Sequence, residues 1–409
     1  MGVRFFYGWN VVAAVSVMAF LSFGLGFYGI SVYVATLQRL HGWSASAVSG
    51  PVTVYYVAGA LLTAAMANLY ERFGPRAVVM AGSAALAGGI AALGVVTRPW
   101  QLYPTFLVMS VGWGAMSGAA INIILAPWWE RRRGLMVSIG FTGATLGGVV
   151  IAPLLIPLVD ALGFTTALAL AALASIVILA VVAGVLRRGP GDLGLGPDGD
   201  PVRATSIRPM LQSAPPWRGE ALSTWRFWSV SVPFALGLTA QVGVITHLIA
   251  LVTPTLGTGG AARVVSATTA AALIGRLATG AVVDRLNRRL VASATLVVQM
   301  VGVALLAWAP SSAAVQVGCV LFGLGFGSLT TLPGLILAVE WPRERFSGLV
   351  GLVVGINQFT FAFGPSLVGV LRDWAGTYGP ALTVCAAIQA IAAVLIALGP
   401  GRIKRASVT

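Results

Sequence analysis

Residues 271–280 read AALIGRLATG, and Arg276 is the one charged group in a small, apolar stretch running from Val264 to Val283. Arginine stays protonated in proteins, and a cation at bilayer depth is costly on every scale. A planar guanidinium grips a carboxylate through two parallel hydrogen bonds. The chemistry on offer is therefore reversible docking of a small anion. All 11 acidic residues sit in loops or at helix ends: Glu71, Glu130, Asp284, Glu340 and Glu344 on one side, Asp160 and Asp373 on the other, and Asp192, Asp198, Asp200 and Glu220 in a polar connector. The sequence thus offers Arg276 no carboxylate at its own depth. The competing reading is a side chain that snorkels to the membrane interface; anion docking is the favoured one.

His247, in VITHLIALVTPTLG (244–257), is one of only 2 histidines. An imidazole with an ordinary pKa of about 6.5 suits a proton carrier. A histidine hydrogen-bonded at a helix end fits the sequence equally well. His41, beside Trp43, reads as solvated. Tyr28, Tyr55, Asn122, Gln241, Asn357 and Gln358 are uncharged polar groups at depth. Each either lines a cavity or bridges helices, a contact worth under about 1 kcal/mol.

Long helices must position these groups. The chain has 409 residues, 58% of them hydrophobic and 9% charged, against about 25% charged in soluble domains. Spans of ~20 apolar residues recur twelve times, at about 9–34, 45–68, 77–96, 102–125, 134–159, 164–186, 226–250, 263–283, 289–309, 312–338, 347–371 and 377–399. The first is too long for a signal peptide and is expected to remain as a helix. Of 25 Lys and Arg, only Arg39, Arg98, Arg263 and Arg372 fall on the outer side and Arg276 within the membrane, so both termini are expected in the cytoplasm. The net charge of +14 is not a nucleic-acid footprint, because no basic stripe interleaved with aromatics exists. Cys319 and Cys385 lie in separate apolar runs and suggest neither a disulfide nor a metal site. No nucleophile–base pair or phosphate loop is visible, so neither an enzyme nor a cofactor or metal is expected.

The polar run 187–225, rich in Gly, Pro and charge, divides the chain. It reads as a flexible cytoplasmic linker. The expected organisation is a six-helix bundle over 1–188, a linker over 189–222 and a second bundle over 223–409. The halves repeat: ANLYERFGPR (67–76) and GAVVDRLNRR (280–289) place Glu71–Arg72 on Asp284–Arg285 at a shift of about 213 residues. The same shift carries Asp160 onto Asp373, and one of about 214 carries Arg131 and Gly134 onto Arg345 and Gly348. Six-span parallel repeats belong to rocking transporters.

On these motifs the chain resembles the major facilitator superfamily. The second copy, Gly280 to Arg289, keeps the pattern G-x-x-x-D-R-x-G-R-R with Asn287 at the small position; the first has Ala67 for Gly and Glu71 for Asp. The resemblance implies an all-α membrane protein with twelve transmembrane helices in two pseudo-symmetric six-helix bundles. It also implies a gating role for Glu71, Arg72, Asp284 and Arg285, while Arg76, Arg288 and Arg289 read equally well as topogenic charge.

WWERRRGLMVSIGFTGATLG (128–147) is similar to the fifth-span signature of the monocarboxylate porter and oxalate–formate exchanger branch. Trp128–Trp129, Arg131–Arg133, Gly143 and Gly147 match, while Ser138 stands where glycine is usual; YGWNVV (7–12) is closer to bacterial forms. The glycine-rich core of drug exporters is incomplete at Thr145–Leu146. In this branch an eighth-span arginine is the carboxylate ligand, and Arg276 holds that place. Ala272 stands where the animal porters carry an aspartate linked to proton coupling, and the eleventh span lacks the lysine of the oxalate exchanger, since the only lysine is Lys404. A single buried cation favours a monoanion. The expected activity is alternating-access transport of lactate- or pyruvate-like monocarboxylates, with proton symport preferred. Arg276, His247, Tyr28, Asn122 and Asn357 are the expected substrate residues, and His247 is also the candidate proton carrier. The expected setting is a monomer in a bacterial inner membrane, with small organic anions, protons and lipid as its partners. An anion exchanger, and more distantly an exporter of amphipathic compounds, are the rivals.

Overall fold

The computed structural model describes residues 6–201, 217–283, 285–308 and 311–400. Asp284 of the second gate motif and Lys404 lie outside the described residues. Nine helices among the described residues are long and apolar enough to cross a membrane. Two of them are double. Gly74 (φ 79°) breaks Ala45–Leu93, and Gly257 (φ 68°) breaks Trp225–Val282. Both φ values lie where a side chain would be strained, so each glycine turns one continuous run into two crossings. With the shorter apolar helix Ser312–Phe326 the expected twelve segments are complete. We label them α1 (Gly8–His41), α2 (45–73), α3 (75–93), α4 (Pro99–Leu125), α5 (Arg133–Leu162), α6 (Phe164–Val185), α7 (225–256), α8 (258–282), α9 (Arg288–Ala307), α10 (Ser312–Phe326), α11 (Gly348–Ala375) and α12 (Gly379–Ala397). Side-chain oxygens cap several starts: Ser44 accepts from the Ala47 amide, Thr224 from Phe227, Asn287 from Arg289 and Ser311 from Ala314.

Among the described residues the chain is helical and unstranded apart from a single bridge between Leu195 and Pro201. Large apolar side chains remain outside, including Leu277, Val181 and Trp308. On a membrane protein such a surface faces lipid. The chain forms two compact units. The first joins Met1–Arg208 to Ile245–Ser266, and the second joins Pro209–Val244 to Ala267–Thr409.

Lipid gives apolar helices little reason to associate, so close backbone approach must supply the packing energy. In the first unit α5 lies directly on α1. A Cβ added at Gly143 would stand 1.8 Å from the Ser16 carbonyl oxygen, and one at Gly147 2.3 Å from that of Phe20. The second unit repeats the device between α7 and α11, where a Cβ on Gly364 would meet the Thr239 oxygen at 2.3 Å. The small-residue stripe of the fifth span is therefore an interhelical seam.

Gly143→Val is expected to destabilise the protein by about 2 kcal/mol or more through overpacking. Gly351→Ala, whose added carbon meets open space inside a helix, should leave stability unchanged or raise it by up to about 1 kcal/mol. Thermal unfolding in detergent distinguishes the two, and equal midpoints would disprove the seam.

Candidate functional site

Arg276 owes its position to a second seam, between α8 and α10. Added Cβ atoms at Gly275 and Gly327 would each fall 1.9 Å from a facing carbonyl oxygen, of Leu324 and Ala272, and one at Gly323 2.3 Å from that of Thr268. Backbones this close bring the end of α10 within reach of the next side chain on α8. Arg276 Nε donates to the Gly327 carbonyl at 2.8 Å. Gly327 is the residue that ends α10, where the last carbonyls lack intrahelical partners and the helix dipole is negative. Ser328 Oγ donates to the Gly275 carbonyl (3.3 Å) and contacts Thr279 Oγ1 (2.8 Å), adding hydroxyls to the same spot. Arg276 is half-buried, and one edge of its guanidinium is oriented by the Gly327 carbonyl.

Asn357 belongs to the same unit. It is 4% exposed, and its Oδ1 is buried without a hydrogen-bond partner. An acceptor left so costs about 1–3 kcal/mol, which invites a donor from water or a bound molecule. Gln241, by contrast, is occupied within the bundle: Gln299 donates to it at 2.9 Å and Gln389 to Gln299 at 2.7 Å.

Tyr28, Asn122 and His247 lie in the first unit. Tyr28 closes a π-helical turn, Gly24–Tyr28, of the kind that often marks functional sites. Tyr33 and Tyr55 donate their hydroxyls to the Leu25 (3.1 Å) and Gly26 (2.6 Å) carbonyls of that turn. The Tyr28 ring lies against Gly148, where a Cβ would approach within 2.7 Å. Asn122 follows an extended break at Ser117 and donates to the Gly118 carbonyl of its own turn at 3.0 Å. His247 is 1% exposed and sits inside α7, more than two turns before Gly257.

The first gate motif is exposed, with the Arg72 guanidinium 5.1 Å from the Phe73 ring centre. Arg285 is exposed as well. The end of the second motif is different. Arg289, readable in sequence as a topogenic charge, is 3% exposed and bidentate to Glu340 at 2.6 and 2.8 Å. It also donates to the Ser229 carbonyl (3.2 Å) and hydroxyl (3.0 Å) and to the Ile396 carbonyl (3.5 Å). One guanidinium thereby ties the ends of α7, α9 and α12 to the helix Leu332–Glu340. Glu340 is one of few acids on the basic side; that scarcity was the only available signal. Sequence reasoning also missed a cavity of about 350 Å³ in the first unit, lined by Thr36, Gln38, Arg39, Asp160, Thr253 and Thr258 among others. Arg39 and Asp160 pair there at 3.1 Å.

The profile described as Major Facilitator Superfamily matches residues 15–262 and 253–407. "MFS-type transporter 1" of Ophiocordyceps sp. is 28% identical over 375 residues, covering 89% of this chain and 77% of that protein. "Monocarboxylate transporter 13" of Bos taurus is 26% identical over 406 residues, 96% of this chain and 89% of its own. Among solved structures, the nucleoside transporter NupG superposes with a TM-score of 0.75 at 13% identity, covering 95% of this chain and 98% of NupG; this likeness concerns the fold.

Glu340→Ala removes the carboxylate from the buried Arg289 and is expected to cost about 3–5 kcal/mol; Arg289→Ala should cost less than that, because Glu340 keeps Arg226 at 3.9 Å. Replacing both by Met and Leu should cost clearly less. Detergent melting of the three variants checks the order; a Glu340→Ala variant no worse than the double one would refute it.

Proposed function

Because the chain belongs to the Major Facilitator Superfamily and is a transporter rather than an enzyme, we propose that it moves small monocarboxylates by alternating access. The observation that carries this reading is Arg276, a permanent cation on a membrane helix whose one edge is oriented by the Gly327 carbonyl. The carbonyl fixes the plane of a guanidinium, whose fork geometry suits two parallel hydrogen bonds to a substrate carboxylate. Asn357, with its unfilled acceptor, is the proposed partner for a substrate hydroxyl, which suits lactate-like acids. Tyr28 and Asn122 are proposed as further cavity groups. The bundles 1–188 and 223–409 rock while 189–222 joins them. Glu71, Arg72 and Arg285, with Asp284, act in gating.

Proton symport is the proposed coupling. His247, buried within α7, carries the proton, and Ala272 leaves the eighth helix without an acid to do so. Likeness to a mammalian monocarboxylate transporter over 96% of the chain supports the substrate class. Relatives from a fungus and a mammal do not favour the bacterial form over others. The proposed location is therefore a cell membrane, with both termini on the cytoplasmic side.

Proteoliposome uptake of lactate, pyruvate, acetate, formate and oxalate, with and without an imposed inward proton gradient, tests the reading. Arg276→Ala should lower monocarboxylate uptake about 100-fold or more, consistent with a lost charge-assisted contact of roughly 3 kcal/mol, and Arg276→Lys should be intermediate. His247→Gln should abolish the gradient's effect while sparing exchange of internal for external substrate. Undiminished uptake by Arg276→Ala would overturn carboxylate docking. Uptake that requires an internal anion and ignores the gradient would favour the exchanger.

A further inference from the structure

The cavity of about 350 Å³ in the first unit lies towards the ends of α1 and α5, where α7 turns into α8 at Gly257. Sites for small molecules run from roughly 300 to 1,000 Å³ and set a few polar groups against an apolar wall. The wall here comes from Val32 and Ala35 of α1, Ile156 and Val159 of α5 and Ile249 of α7. Every residue lining the cavity belongs to the first unit, whereas Arg276 belongs to the second.

The polar groups of this cavity are only partly satisfied. Arg39 Nη2 donates to one oxygen of Asp160 at 3.1 Å, and both side chains remain partly exposed. A guanidinium carries five N–H donors, so this contact uses little of what Arg39 offers. An exposed pair of this kind is weak, and another carboxylate can take the guanidinium at small cost. Gln38, the preceding residue, also lines the cavity, and its Nε2 is buried without a hydrogen-bond partner. A buried donor left so is costly, and only an acceptor relieves it. The unfilled capacity is therefore for donation, beside an aliphatic wall. That combination fits a ligand with an anionic oxygen at one end and an apolar body at the other.

We propose that this cavity is a second binding site, for a monocarboxylic acid with an aromatic or branched apolar body. The ligand carboxylate takes Arg39 from Asp160 and accepts from the Gln38 amide, while the body lies on the wall of Val32, Ile156, Val159 and Ile249. The site goes beyond the docking of an acid on Arg276 and stands without it, since the two share no residue. Asp160 is then a resident competitor that holds Arg39 until an acid displaces it. Competition of this kind has a signature: loss of Arg39 weakens binding, and loss of the Asp160 charge strengthens it.

Protection of Thr258→Cys from a neutral maleimide, in nanodiscs, is the test. Thr258 is a half-buried lining residue, and the native Cys319 and Cys385 are wholly buried. Benzoate at about ten times its half-protecting concentration should slow labelling about tenfold, since an occupied site does not react. Acetate, with the charge but no ring, should need a concentration about tenfold higher or more. On the Thr258→Cys background, Arg39→Leu should raise the half-protecting benzoate concentration about tenfold or more, and Gln38→Leu about fivefold. Asp160→Asn should lower it, by up to about fivefold. A pair that merely braced α1 against α5 would respond alike to both losses, so weaker protection in Asp160→Asn overturns the site. Absence of protection by benzoate, or undiminished protection in Arg39→Leu, overturns it as well. Loss of protection in Arg276→Ala would do the same, by showing that benzoate acts from the other site. Protection that persists in Arg276→Ala supports the cavity whatever that variant's uptake, so the two readings fail separately.

Discussion

The approach of α8 to α10 at Gly275, Gly323 and Gly327 is the contact on which the placement of Arg276 depends. A side chain at any of the three would push the backbones apart. With them apart, the Gly327 carbonyl would leave the reach of Arg276. The same physics recurs at α1–α5 and α7–α11. In a solvent that gives apolar surfaces no reason to associate, backbone proximity is what remains. Many of the described glycines are thus packing material, standing where an added side chain would strike a neighbouring backbone.

Charge is treated in two ways in this protein. Arg289 is fully engaged by a carboxylate, two carbonyls and a hydroxyl, which makes it a fixed strut at the basic end of the second unit. Arg276 is oriented by a neutral oxygen at a helix end. A charge met by a full counter-charge is structural because nothing is gained by binding another anion.

The twelve crossings were legible, and the reason is elementary: lipid demands ~20 apolar residues per crossing, and the demand is written residue by residue. The duplicated acid–arginine motif was legible as a repeat. Arg276 stood out because a charge in such a stretch is costly. Less was legible about partners. The extended break at Ser117 and the π-helical turn at Gly24–Tyr28 left no local mark in the sequence. The connector read as flexible because it is rich in Gly and Pro, yet residues 190–201 fold onto the 128–131 loop through Asp198 and Asp200. Composition reports what a segment can do alone, and this one is held by a distant loop.

By itself the sequence determined the solvent, the number of crossings, the internal repeat and the residue that pays for a buried charge. Each of these follows from local free energies of transfer, which depend on residue type and little else. Tertiary structure alone decided which arginine is strut and which is oriented cation, where the seams run and what holds the connector. These depend on partners far apart in the chain: Arg289 on Glu340, Arg276 on Gly327 and Arg131 on Asp200. Whether a side chain is satisfied is a property of the pair, and only the fold brings the pair together.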